Sequence, residues 1–137
     1  MTRRSRILIV DDEPGLVHLL ALMLKRTGRY EVLSEVDATR AFQAVVKFRP
    51  HLVLLDWVMP KLTGGDIAGQ IRADSRVSET PILFLSAIVM KRDGCGEVAG
   101  FPAIAKPVKL KELIEAIDEQ LGKAVDFQRA SMQPSIS

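Results

Sequence analysis

Cysteine is nearly missing from this chain: Cys95 is the only one among 137 residues. That excludes an internal disulfide framework and fits a reducing compartment, so a cytoplasmic location is expected. An excess of either charge is lacking too. Lys and Arg number 19 against 17 Asp and Glu, a formal net charge of +2. Bulk electrostatics therefore gives no case for direct nucleic-acid contact or a membrane surface. Long apolar runs are also absent. The basic start "MTRRSR" could open a signal peptide, but its apolar stretch "ILIV" stops at Asp11, far short of an h-region. No run approaches the length of a membrane span, and no internal repeat or low-complexity tract is visible. What is present is ordinary: 47% hydrophobic and 26% charged residues, in a length that closes one real core.

Short apolar runs alternate with stretches of helical period. "RILIV" (6–10), "YEVLSEV" (30–36), "HLVLLD" (51–56), "PILFLSA" (81–87) and "AIA" (103–105) read as strands. Leu16, Leu19, Leu20, Met23 and Leu24 mark a first helix stopped by Gly28. Ala38, Ala41, Phe42, Val45 and Phe48 mark a second, ending before Pro50. Ile67 and Ile71 mark a third, and Leu110, Leu113, Ile114, Ile117 and Leu121 the most amphipathic one. Strands this continuously apolar are covered on both faces, which predicts a parallel sheet between helices. Residues 1–121 are expected to form the domain. Residues 122–137 lose periodicity and read as a flexible tail or a cut linker.

One stretch resists the bland reading. In "LLDWVMP" (54–60) an apolar strand ends in Asp56, an acid pushed against its own core. A buried charge is costly unless it is paired or neutralised. In doubly wound folds the carboxyl ends of the strands converge on one crevice. Those ends carry Asp11 and Asp12, Asp56, Ser86, and Lys106 followed by Pro107. Neighbouring carboxylates repel unless a cation intervenes, and oxygen ligands with no histidine or cysteine partner favour Mg²⁺. Mg²⁺ commonly combines protein carboxylates with phosphate oxygens, and a serine hydroxyl and a lysine ammonium suit the remaining oxygens. Asp56 then reads as a carboxylate nucleophile that takes up a phosphoryl group.

"VDDEP", "DWVMPKLTG", "LSA" and "AKPV" together resemble the receiver domain of two-component response regulators, over roughly residues 5–121. The resemblance implies a flavodoxin-like, doubly wound, five-stranded parallel sheet of order 2-1-3-4-5. It implies Asp56 as phosphoacceptor, Asp12 as a direct Mg²⁺ ligand and Asp11 as holder of the metal's water. The carbonyl of Val58 would complete the metal's protein ligands. Ser86 would be the switch hydroxyl and Lys106 the phosphate-pairing lysine, joined to Pro107 by a cis peptide. From the residues alone a trans bond is the expectation. The donor implied is a histidine kinase or a histidine phosphotransfer protein, with a downstream protein partner.

Taken singly, these residues have plainer uses. Asp11 and Asp12 would serve a solvated turn or a helix cap ahead of Pro14, Lys106 a surface lysine and Ser86 a loop hydroxyl. Glu13 and His18 are expected at the surface, His51 at a strand edge and Trp57 beside the pocket, where it would report metal and phosphate by fluorescence. Cys95, between Gly94 and Gly96, is not expected to be a redox thiol.

The pattern breaks at two places. Ala103 stands where the family carries a Tyr or Phe three residues before the lysine, with Phe101 two residues away. Residues 87–102, "AIVMKRDGCGEVAGFP", occupy the place of the family's fourth helix, yet Gly94 and Gly96 would each cost about 1 kcal/mol in a helix interior. A short, frayed or absent helix is expected there, with an atypical output surface. Val58 and Ile88 resemble the sites that set how fast receivers lose phosphate, and their apolar side chains predict slow self-dephosphorylation. The expected function is thus a Mg²⁺-dependent phosphoacceptor, a stand-alone signalling domain or phosphorelay intermediate rather than an enzyme. The alternatives are a binding module indifferent to phosphate and the receiver piece of a longer transcription regulator. A haloacid-dehalogenase-type hydrolase would need an acid where Val58 stands.

Overall fold

A computed structural model describes residues 4–88, 90–92 and 95–132. In chain order the elements are β1 (Ser5–Val10), α1 (Pro14–Arg26), β2 (Tyr30–Glu35), α2 (Ala38–Phe48), β3 (Leu52–Asp56), α3 (Gly64–Ala73) and β4 (Ile82–Ser86). After these come β5 (Met90–Arg92), β6 (Cys95–Val98), β7 (Phe101–Ala105) and α4 (Leu110–Met132). No helix among the described residues is long and apolar enough to cross a membrane.

The alternation of side chains along each strand sorts the apolar runs into two cores. Leu8, Val10, Val53, Leu55, Ile82 and Phe84 point to one side and pack with Ala41 and Val45 of α2 and Ile67 and Ile71 of α3. Ile7, Ile9, Leu52, Leu54, Leu83 and Leu85 point to the other, against Val17, Leu20 and Leu24 of α1 and Leu113 and Ile117 of α4. This two-sided burial is why β1, β3 and β4 show no polar alternation.

The helices start where local chemistry directs. Pro14 opens α1. Asp37 caps α2, its Oδ1 accepting the Thr39 N–H at 2.9 Å. A capping box opens α3: Thr63 Oγ1 accepts the Asp66 N–H at 3.1 Å, and Asp66 Oδ2 accepts the Thr63 N–H at 3.0 Å.

The five parallel strands run in the expected order, β2-β1-β3-β4-β7, but the sheet does not stop there: β6 and β5 continue it antiparallel to seven strands. The described part of residues 87–102 holds no helix, so the expected short, frayed or absent helix is absent there and strands stand in its place. Residues 89, 93 and 94 lie outside the described residues. Ala99 and Gly100 turn β6 into β7 with φ of 52° and 83°. Two consecutive left-handed residues are what a two-residue hairpin requires, and they cannot continue a helix. At the other end α4 runs on to Met132, past residue 121, where loss of periodicity places the start of a tail. The stretch after Gly122 contains no proline before Met132 and includes Lys, Ala, Gln and Arg, all good helix formers. Residues 133–137 of the expected tail lie outside the described residues.

Candidate functional site

The register of the parallel strands aligns their carboxyl ends. Val10 lies opposite Leu55, Asp56 opposite Leu85, and Ser86 opposite Ala105. The next residue of β1 is Asp11, and the next of β7 is Lys106, whose N–H donates to the Ser86 carbonyl at 2.8 Å. Asp11, Asp12, Asp56, Ser86 and Lys106 therefore meet at one edge of the sheet, as the sequence predicts.

One carboxylate oxygen from each of Asp11, Asp12 and Asp56 lies within 4.8 Å of the other two. Asp11, Asp56 and Ser86 are buried, while Asp12 is half-buried. The Lys106 ammonium lies 3.0 Å from Asp11 Oδ2 and 3.2 Å from Asp56 Oδ1. Burial and then the Asp11 charge push the Asp56 carboxyl up to about 6, against the pull of Lys106. Burial lowers the Lys106 pKa, but its bonds and attraction to Asp11 and Asp56 outweigh this and raise it overall. Glu13 is exposed as expected, 3.9 Å from Lys106, and its N–H donates to Asp11 Oδ1 at 3.0 Å.

An all-oxygen set suits Mg²⁺, and one ion can be shared by oxygens at this separation. The fit has a second sign. Asp11 Oδ2 is buried, and among the described residues its one partner is the Lys106 ammonium, which leaves a lone pair for a cation.

Ser86 is placed beside the acids with its hydroxyl turned into its own loop. The Oγ donates to the Ile88 carbonyl at 2.9 Å and accepts the Ile88 N–H at 3.1 Å. Val58 donates its N–H to Asp56 Oδ1 at 3.4 Å. Val58 and Ile88 are 71% and 79% exposed. The Lys106–Pro107 bond is cis, as the resemblance implies. His18 is exposed. His51 sits just before β3, where its Nδ1 accepts the Arg6 N–H at 2.8 Å. Burial and then the Arg6 charge lower its pKa.

Two features escaped sequence reasoning. Gly64 opens α3 so close to the end of β3 that an added Cβ would stand 2.3 Å from the Asp56 carbonyl oxygen and 3.0 Å from the Phe84 ring. The spacing "TGGD" before an apolar helix is its signal. The second is a line of rings: Trp57 meets Phe84 edge to face at 5.0 Å, and Phe84 meets Phe101 likewise at 5.3 Å. Strand parity alone puts Phe84, Ala103 and Phe101 on one face.

Comparison with known proteins bears on this geometry. Residues 7–118 match the family model described as the response regulator receiver domain. The DNA-binding response regulator MtrA of Mycolicibacterium smegmatis is 37% identical over 130 residues, 91% of this chain and 54% of the relative. The phosphate regulon transcriptional regulatory protein PhoB of Pseudomonas aeruginosa is 32% identical, over 79% of this chain and 48% of its own length. The chain thus spans about half the length of these curated relatives. Among solved structures, the receiver domain of the sensor histidine kinase PA1611 from Pseudomonas aeruginosa, with magnesium coordinated in its active-site cleft, superposes with a TM-score of 0.76. It is 29% identical, covering 88% of this chain and 99% of that one. A response regulator from Chloroflexus aurantiacus superposes with a TM-score of 0.74 at 26% identity, covering 88% and 99% of the two chains.

Proposed function

Because the chain belongs to the response regulator receiver domain family, we propose that it takes a phosphoryl group from a phosphohistidine onto Asp56 and signals through the change that follows. The observation that carries this reading is the packing of three carboxylates, each with an oxygen within 4.8 Å of the others, under the Lys106 ammonium. In the transfer an Asp56 oxygen attacks phosphorus, the P–N bond to the donor imidazole breaks, and the imidazole leaves with the bonding pair and a proton. Asp12 and Asp56 would hold Mg²⁺ directly with the Val58 carbonyl, and Asp11 would hold one of its waters. When bound, the ion neutralises phosphoryl oxygens and the acids around them. Lys106 is released from Asp56 to pair with a phosphoryl oxygen, and the Ser86 hydroxyl turns from the Ile88 carbonyl to donate to another.

A histidine kinase or a histidine phosphotransfer protein is the proposed donor. The test uses a small-molecule donor, acetyl phosphate, with Mg²⁺. Intact mass should show one added phosphoryl group that hydroxylamine removes and that Asp56→Asn never acquires. Trp57 fluorescence should respond to Mg²⁺ and then beryllofluoride in the wild type alone. Silence in a folded wild type would favour the binding module indifferent to phosphate.

The greater length of the DNA-binding relative, of which this chain covers 54%, favours a second reading for the whole protein, in which this receiver governs a DNA-binding region. The intact mass of the native gene product tests it.

A further inference from the structure

β2 forms one margin of the sheet, and among the described residues no strand pairs with its outer edge. The Ser5 N–H donates to the Arg29 carbonyl at 3.2 Å and the Asp11 N–H to the Glu35 carbonyl at 3.3 Å. Backbone groups alternate sides along a strand, so Glu31, Leu33 and Glu35 face β1, and Tyr30, Val32 and Ser34 turn their N–H and C=O outward. A six-residue edge with unpaired groups is a template for another strand.

The chemistry above that edge says which strand. Between β2 and α2 lies a groove of about 650 Å³, lined by Leu33 and Glu35 from the strand and by Arg40, Ala44, Lys47 and Phe48 from the helix. Leu33 is 41% exposed in it. Among the described residues, Arg40 pairs with Asp37 at 3.9 Å and Lys47 has no ion pair. An apolar floor between two under-used cations calls for a strand that alternates acid, aliphatic and acid on the face it presents. This chain carries that pattern on that face of β2 itself: Glu31, Leu33, Glu35.

We propose that β2 of a second copy docks antiparallel on this edge, giving a two-fold dimer with one continuous sheet. Charge selects the register. With the axis at Val32, Val32 faces Val32 and Glu31 faces Leu33, so no two acids stand opposite each other; Glu35 lies opposite Arg29, whose guanidinium bonds Asp118 of α4 on the other face of the sheet. Moving the axis to Leu33 sets Glu31 against Glu35, and moving it to Glu31 sets that acid against itself. The contact uses neither Asp56 nor its metal, so it stands or falls apart from the phosphoacceptor reading.

Sedimentation equilibrium of the unphosphorylated chain should show a monomer–dimer equilibrium. Val32→Pro removes only an outward N–H, keeps the bonds to β1, and should weaken the dimer roughly tenfold or more. Lys47→Glu should weaken it too. In a Cys95→Ser background, a mixture of Glu31→Cys and Leu33→Cys chains should oxidise to a mixed disulfide dimer, while each chain alone should not. This readout holds even if the proline variant folds poorly, which its circular dichroism reveals. A chain monomeric at millimolar concentration would overturn the proposal. So would a dimer indifferent to Val32→Pro in folded protein, or one in which the cysteine mixture fails to link.

Discussion

Phe101 stands edge-on to Phe84, ring centroids 5.3 Å apart, and Ala103 lies directly opposite Phe84 in the strand register. The small residue and the displaced ring belong together: Ala103 is buried, and a ring in its place would crowd Phe84, already flanked by Trp57 and Phe101. Arg72 covers the outer side of Phe101, its guanidinium carbon 5.4 Å from the ring centre. Edge-to-face pairs contribute about 0.5–1.5 kcal/mol beyond the area they bury. A double-mutant cycle of Phe84→Leu and Phe101→Leu, read by urea unfolding, should return a coupling of that size. Ala103→Tyr should destabilise the fold by about 1–3 kcal/mol through overpacking. Additive single effects, or a neutral Ala103→Tyr, would contradict this packing.

Two glycines of α3 should respond to alanine in opposite directions. A Cβ on Gly64 would meet the Asp56 backbone oxygen at 2.3 Å, where no flexible side chain can yield. Gly64→Ala should cost about 1–3 kcal/mol and disturb the acidic site as well. Gly69 is helical and exposed, with nothing within 4 Å of an added Cβ. Gly69→Ala should stabilise by about 0.5–1 kcal/mol. Thermal melting of the pair, with Trp57 fluorescence beside it, decides both.

The parallel core and the acidic site were legible because each rests on an ordered signal. Apolar runs bounded by turn residues marked β1, β3 and β4, and the rule for strand ends collected Asp11, Asp12, Asp56, Ser86 and Lys106 without any coordinates. The hairpin was not legible. Strands of three and four residues, β5 and β6, are too short to show a period, and the glycines and weak apolar stripe of residues 87–102 argue against a helix without indicating strands. The informative signal was the dipeptide Ala99-Gly100 between Val98 and Phe101, which turns β6 into β7. The direction of the Ser86 hydroxyl was beyond sequence, because it depends on a hydrogen bond to the Ile88 carbonyl two residues on.

Val58 and Ile88 should govern how long a phosphoryl group on Asp56 survives. Both are open to solvent, and neither side chain can orient an attacking water. Hydrolysis by an unpositioned water is slow. Val58→Asn with Ile88→Lys supplies polar groups at both places and should shorten the lifetime roughly tenfold or more. Decay of the phosphorylated mass after removal of the donor measures it. An unchanged decay would show that these side chains do not set the rate.

The acid at the end of β3 should make the metal-free protein less stable as pH rises. Asp56 has an ordinary carboxyl pKa of 3.8 that burial and Asp11 push up to about 6 in the folded chain. Between these values the folded state holds a proton that the unfolded state has lost, so stability falls as pH climbs from about 4 to about 6 and stays lower above. In EDTA, Asp56→Asn should therefore melt above the wild type at pH 7 to 8, and the gap should close toward pH 4. Adding Mg²⁺ at pH 7 to 8 should raise the wild-type midpoint more than the variant's, because the ion offsets both the burial of the Asp56 charge and its repulsion from Asp11. If the wild type is instead more stable than Asp56→Asn at neutral pH without metal, the ion pair to Lys106 outweighs burial and repulsion, and the direction assigned to Asp56 is reversed.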